Sequence, residues 1–136
     1  MLEKFDSNGT YNVKFAGAKR PLYVKKTNES DITILGGTRR SIGGISLRKK
    51  HQKPFQTKEI NVSKGDYMWL STDGYIDQND ESRKRFGSPR FADVLDIIKD
   101  KPLDDQYTYL QKTLDAYKGE APQRDDITVL GIEIRK

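Results

Sequence analysis

At 136 residues the chain has the length of one domain, able to bury roughly two-thirds of the surface its unfolded form exposes, and its absence of cysteine excludes disulfides, thiolate metal sites and cysteine nucleophiles. No apolar run approaches the length that spans a bilayer and the N-terminus lacks a signal-peptide pattern, so the sequence reads as a soluble, cytoplasmic segment without membrane contact. The net charge of +5 favours acidic or phosphorylated partners in a weak, sequence-blind way, but 25 Lys and Arg are scattered among 20 Asp and Glu with no aromatic interleaving, which argues against nucleic acid as a partner.

In chain order, Asp6-Ser7-Asn8-Gly9 is a turn cluster, and Tyr11, Val13 and Phe15 then alternate as one face of a strand. Ala16-Gly17-Ala18 is a small-residue patch where chain segments can approach closely. Pro21 to Val24 resumes an extended pattern, Asn28-Glu29-Ser30-Asp31 turns the chain, and Ile32 to Leu35 completes a hairpin from Leu22 to Leu35. Gly36 to Phe55 has loop composition, with Gly36-Gly37, Gly43-Gly44 and the basic run Arg48-Lys49-Lys50-His51. The sole histidine reads there as a solvated loop residue. Arg39 and Arg40 are weak candidates for a phosphate contact, since guanidinium forks match phosphate oxygens, although a solvated basic loop is the simpler account of them. Lys58 to Val62 alternates with Ile60 and Val62 inward.

The middle of the chain carries the chemistry. Gly65-Asp66 is turn chemistry, Tyr67 to Leu70 suits a short buried strand, and Asp73-Gly74 follows at its end, where a carboxylate can face a cation while the backbone bends away. Asp-Gly alone is only a common turn signal. A second acidic element gives it weight: Asp125-Asp126 runs directly into the β-forming segment Ile127 to Ile134. If the two strands are neighbours, Asp73 and Asp125 or Asp126 could share a hard divalent ion, which prefers oxygen ligands. Between them lie a polar stretch from Gln78 to Arg85 and two helices. Ser88 is placed to cap the first, Pro89 to about Lys99, with a stripe of Phe91, Val94, Leu95 and Ile98. The second, about Asp104 to Lys118, carries Leu103, Tyr107, Leu110, Leu114 and Tyr117 at helical spacing, read as core, and Gly119 as its stop.

Phe15-Ala16-Gly17-Ala18-Lys19-Arg20-Pro21-Leu22-Tyr23, Ser41-Ile42-Gly43, Gly65 through Gln78, Phe86-Gly87 and Gln123 through Gly131 together resemble the SpoIIE-type, or RsbU-like, serine phosphatases of the metal-dependent protein phosphatase superfamily. The order and spacing match along nearly the whole chain. The resemblance implies an α+β fold, an antiparallel sheet layer with two helices on one face, as part of an α/β/β/α phosphatase sandwich. It implies Mn²⁺ or Mg²⁺ as cofactor, two ions that activate a bridging water against phosphoserine or phosphothreonine, with no protein nucleophile. It assigns Asp73 and Asp125 as metal ligands, with Gly74 and Asp126 as secondary candidates. The family's Gly-Asp-x-x-Gly-His element, whose aspartate bridges the two ions, is not in this sequence, so residues 1–136 are expected to be the C-terminal part of such a domain, inactive in isolation and holding at most one ion weakly.

The implied function is hydrolysis of a phosphorylated regulatory protein, such as an anti-anti-sigma factor, in bacterial signalling; the alternative is a phosphatase-like docking module without catalysis. A half-domain is also expected to leave one sheet face apolar and exposed, inviting self-association.

Overall fold

The computed structural model describes residues 2–4, 9–42 and 54–135. The turn expected at Asp6 to Asn8, Gly43-Gly44 and the run Arg48 to His51 lie outside the described residues. The chain forms β1 (Leu2–Lys4), β2 (Tyr11–Phe15), β3 (Leu22–Lys25), β4 (Ile32–Leu35), β5 (Lys58–Val62), β6 (Tyr67–Ser71), α1 (Gly74–Asp77), α2 (Ser88–Ile98), α3 (Leu103–Lys118) and β7 (Val129–Glu133). Two sheets result, ordered β1-β2-β5 and β4-β3-β6-β7, and every pairing between these strands is antiparallel. The α+β class and the two helices on one face are as the sequence implies.

Side-chain alternation in the central strands builds two cores. On β3, Leu22 and Val24 point one way and Tyr23 the other; on β6, Met68 opposes Trp69 in the same manner. The register Tyr23↔Trp69 and Val24↔Met68 keeps like faces together. One face meets Val13 and Val62 of the three-stranded sheet, closing a core with Ile134. The other meets α2 and α3 through Phe91, Leu95, Ile98 and Leu110, with Tyr75, Ile76 and Phe86 filling the end. Burying each of the large apolar side chains contributes about 1.5–3 kcal/mol.

The expected bare apolar face is therefore absent from the described residues. The three-stranded sheet covers Leu22, Val24 and Met68 of the four-stranded sheet, leaving Leu130 of β7 as the half-exposed apolar residue on that face among the described residues. Its own outward positions carry Asn12, Lys14, Glu59 and Asn61, with Asn12 Nδ2 donating to Asn61 Oδ1 at 3.0 Å.

Three local expectations also change. Ser88 is the first residue of α2 and exposed, and no side-chain cap is made; Gly87 holds the cap position at φ 88°. The reason is the returning chain: Gly87 N–H donates to Ile76 O at 2.9 Å and Phe86 N–H to Gln78 O at 2.8 Å, fixing a left-handed backbone that glycine alone takes without strain. Tyr107 is 66% exposed, whereas Gln106 is buried. The buried stripe of α3 runs through Gln106 because the Trp69 indole needs an acceptor: Nε1 donates to Gln106 Oε1 at 2.8 Å, and Gln106 Nε2 donates to Lys101 O. Tyr75 is likewise buried, donates to Leu110 O at 2.8 Å, and has its phenol pushed above the usual range by desolvation, so it remains a donor. Finally, Asp73-Gly74 opens the single turn α1 where the sequence suggested only a bend. α3 does stop at Gly119, at φ 52°, with its N–H on Asp115 O.

Among the described residues no helix is long and apolar enough to cross a membrane.

Candidate functional site

Strand β6 is central in its sheet, flanked by β3 and β7. Antiparallel pairing puts its C-terminal end beside the residues that enter those two neighbours. Leu22↔Leu70 continued two residues places Arg20 opposite Thr72, and Ser71↔Val129 continued one residue places Thr128 there from the other side. Three segments thus converge at one sheet edge: Arg20-Pro21, Thr72-Asp73-Gly74 and Asp125 through Thr128.

Hydrogen bonds lock the second pair of segments. Thr72 N–H donates to Thr128 O at 3.0 Å, Thr128 N–H donates to Thr72 Oγ1 at 3.0 Å, and Thr72 Oγ1 donates to Asp126 O at 3.1 Å. Gly74 then passes so close that a Cβ there would lie 2.3 Å from Asp126 O. Gly74 therefore has a steric role, allowing the Asp73 turn and the acidic segment to touch backbone to backbone. Asp125 Oδ1 accepts from Asp126 N–H at 2.8 Å, and both aspartates are exposed.

Gln78, fully buried, anchors the approach to this segment. Its Nε2 donates to Asn79 O and to Pro122 O at 3.0 Å, and its Oε1 accepts from Arg124 N–H at 3.3 Å. A buried amide with both ends satisfied fixes the chain just before Asp125.

The third segment brings a partner for Asp73 from 53 residues away, a pairing that no local pattern in the sequence marks. Arg20 Nη2 donates to Asp73 Oδ2 at 3.0 Å, an ion pair with side chains 36% and 47% exposed. The backbone under Arg20 is held by a crossing loop. Lys19 N–H donates to Thr38 O and Thr38 N–H to Gly17 O, both at 2.8 Å, and a Cβ on Gly37 would lie 2.5 Å from Arg20 O. The close approach read from Ala16-Gly17-Ala18 is thus real. Arg40, on the same crossing loop, lies over the ring of Phe55 at 4.9 Å, and Arg39 is exposed. Asp66, although next to the strand that delivers Asp73, belongs to the scaffold: buried, it accepts from Thr27 N–H and Oγ1 and from Ser63 N–H.

Chemically, the edge presents carboxylate oxygens at a partly exposed position, suited to a hard cation such as Mg²⁺ or Mn²⁺. Among the described residues no group of three or more His, Cys, Asp or Glu converges. The donors present fit part of an oxygen shell.

A family model described as stage II sporulation protein E (SpoIIE) matches residues 5–135. Among solved structures, the SiaA-PP2C domain of Pseudomonas aeruginosa is similar with a TM-score of 0.76 at 37% identity, over 93% of this chain and 47% of that one. The RsbU and RsbW domains of a Mycobacterium tuberculosis protein give 0.65 at 21% identity, over 95% and 33%. The phosphatase domain of the cell fate determinant SpoIIE from Bacillus subtilis gives 0.57 at 12% identity, over 100% and 57%. The last two speak for the fold alone. No curated protein matches the sequence. The chain spans about half the length of the SiaA-PP2C domain.

Proposed function

The chain belongs to the SpoIIE family, and from that membership we propose that it is the C-terminal part of a metal-dependent protein serine/threonine phosphatase domain, in which Asp73 and Asp125 are ligands of a Mg²⁺ or Mn²⁺ ion. The observation that carries the reading is the convergence of the Asp73 turn and the Asp125-Asp126 segment at one sheet edge, held by Thr72, Thr128 and the glycine at 74. Bound divalent ions would supply activated water and neutralise charge on the phosphoryl oxygens.

The chain's own residues do the placing. Thr72 ties the two acidic segments together, Gln78 fixes the entry to Asp125, and Asp126 contributes its carbonyl to the Thr72 bond while its side chain stays exposed as a secondary ligand. Asp73 and Asp125 fill only part of the oxygen shell a hard divalent ion takes, so the proposed site calls for further oxygen donors. The substrate proposed is a phosphoserine or phosphothreonine on a regulatory protein of bacterial signalling, a reading supported by the family membership and favoured weakly by the chain's net charge of +5.

The test is reconstitution. Residues 1–136 alone are expected to hydrolyse an aryl phosphate in Mn²⁺ no faster than the same chain carrying Asp73→Asn. Supplying the N-terminal half, in cis or as a separate chain, is expected to produce metal-dependent turnover. Robust turnover by the 136 residues alone overturns the shared-site reading. A completed domain that folds, binds a phosphoprotein and never turns over supports the docking module instead.

A further inference from the structure

Resting on the assignment of Asp73 as a metal ligand, the geometry points to Arg20 as a positioning residue that occupies the cation's place at Asp73 until the metal arrives. A carboxylate destined to share an ion with a second carboxylate is repelled by it while the ion is absent. Here Asp73 already has a positive partner, the Arg20 guanidinium at 3.0 Å, contributed by the neighbouring strand's entry rather than by its own loop.

Three observations distinguish this pair from an incidental surface contact. Arg20 precedes Pro21, which biases its backbone to the extended form and carries the line of β3 on toward Thr72. Its carbonyl is pressed against Gly37, and Lys19 before it is held in a left-handed conformation at φ 64° by its hydrogen bond to Thr38 O. A non-glycine residue is uncommon there, and at Lys19 the crossing loop holds it. The backbone is thus fixed and the side chain is aimed at one oxygen, Oδ2 of Asp73.

Two consequences follow. A divalent ion must displace the guanidinium from Asp73, so Arg20 weakens metal binding to this chain. It also keeps the metal-free edge closer to neutral, leaving Asp73 in place rather than swung away from Asp125. Because the pair is partly exposed, its effect is moderate and falls with ionic strength.

The experiment measures Mn²⁺ affinity of the 136-residue chain from the electron paramagnetic resonance signal of free Mn²⁺. Arg20→Gln is expected to bind about fivefold more tightly than the unmodified chain at low salt, a gap that narrows in 0.5 M salt, while Arg20→Lys, which keeps the charge, stays within about twofold of the unmodified chain. Independently of any variant, the Arg20 Nε–Hε resonance is expected to shift on titration with Mg²⁺ along the binding curve. An Arg20→Gln affinity that is unchanged or weaker, or an Arg20 resonance that ignores Mg²⁺, overturns the proposal. Asp73→Asn separates the two levels: if it binds Mn²⁺ as well as the unmodified chain, the ligand assignment falls and the Arg20 role with it. If it loses binding while Arg20→Gln changes nothing, only the Arg20 role falls.

Discussion

Asp73→Asn in a domain that joins these residues to the proposed N-terminal half is expected to lower Mn²⁺-dependent hydrolysis of a phosphoserine peptide by a hundredfold or more, while the melting temperature without metal moves by no more than a few degrees. The substitution keeps the shape and removes the charge. Losing a single preorganised electrostatic partner typically costs about 10²–10³ in rate, and here the partner also helps to hold the ion. The folded chain gives up only the Arg20–Asp73 pair, whose members are 36% and 47% exposed, and exposed pairs are worth about 0–1 kcal/mol. Steady-state kinetics beside a thermal melt separates the two effects. A parallel loss of turnover and of stability would assign Asp73 to the scaffold instead.

Gly74→Ala sets helix propensity against sterics, and the sign of the result decides between them. Gly74 begins the helical turn α1, and in a helix alanine is favoured over glycine by about 1 kcal/mol. Yet a Cβ there would lie 2.3 Å from Asp126 O and 2.9 Å from Ile127 Cγ1, and the nearer atom is backbone. Relieving such a contact moves one chain off the other, and overpacking of this kind costs about 1–3 kcal/mol. The expected outcome is net destabilisation, seen as a lower urea midpoint, together with a weaker response to Mn²⁺ because the acidic segment is pushed from Asp73. A stabilised Gly74→Ala chain would show that the two segments are free to separate.

Much of this site was legible because local patterns encode it. Tyr67 to Leu70 between Gly-Asp and Asp-Gly, and Asp125-Asp126 before a β-forming run, mark strand ends by turn chemistry and alternation, and the family motif joins them. The stripe Phe91, Val94, Leu95 and Ile98 marked α2 in the same way. What stayed hidden depends on partners distant in sequence. Arg20 and Asp73 are 53 residues apart, and only the β3–β6 register brings them together; the available signal was the extended pre-proline position inside the motif. Tyr107 looked like core by spacing, but the indole of Trp69 required an acceptor on that helix face and Gln106 supplies it. Asp66 read as a turn residue and Gln78 as the start of a polar stretch, although burial makes them the ties that hold β6 and the approach to Asp125. The missing bare face has the same origin: periodicity identifies β2 and β5 but not that their sheet closes over β3 and β6.

The central claim, that Asp73 and Asp125 share a divalent ion, is tested most directly by the melting temperature of residues 1–136 with and without millimolar Mn²⁺, beside the Asp73→Ala, Asp125→Ala double variant. At tenfold excess over its dissociation constant an ion that binds only the folded chain adds about 1.4 kcal/mol, a rise of roughly 3–6 °C for a domain of this size. That rise is expected in the unmodified chain and its loss in the double variant. No rise, or an equal rise in both proteins, would contradict it.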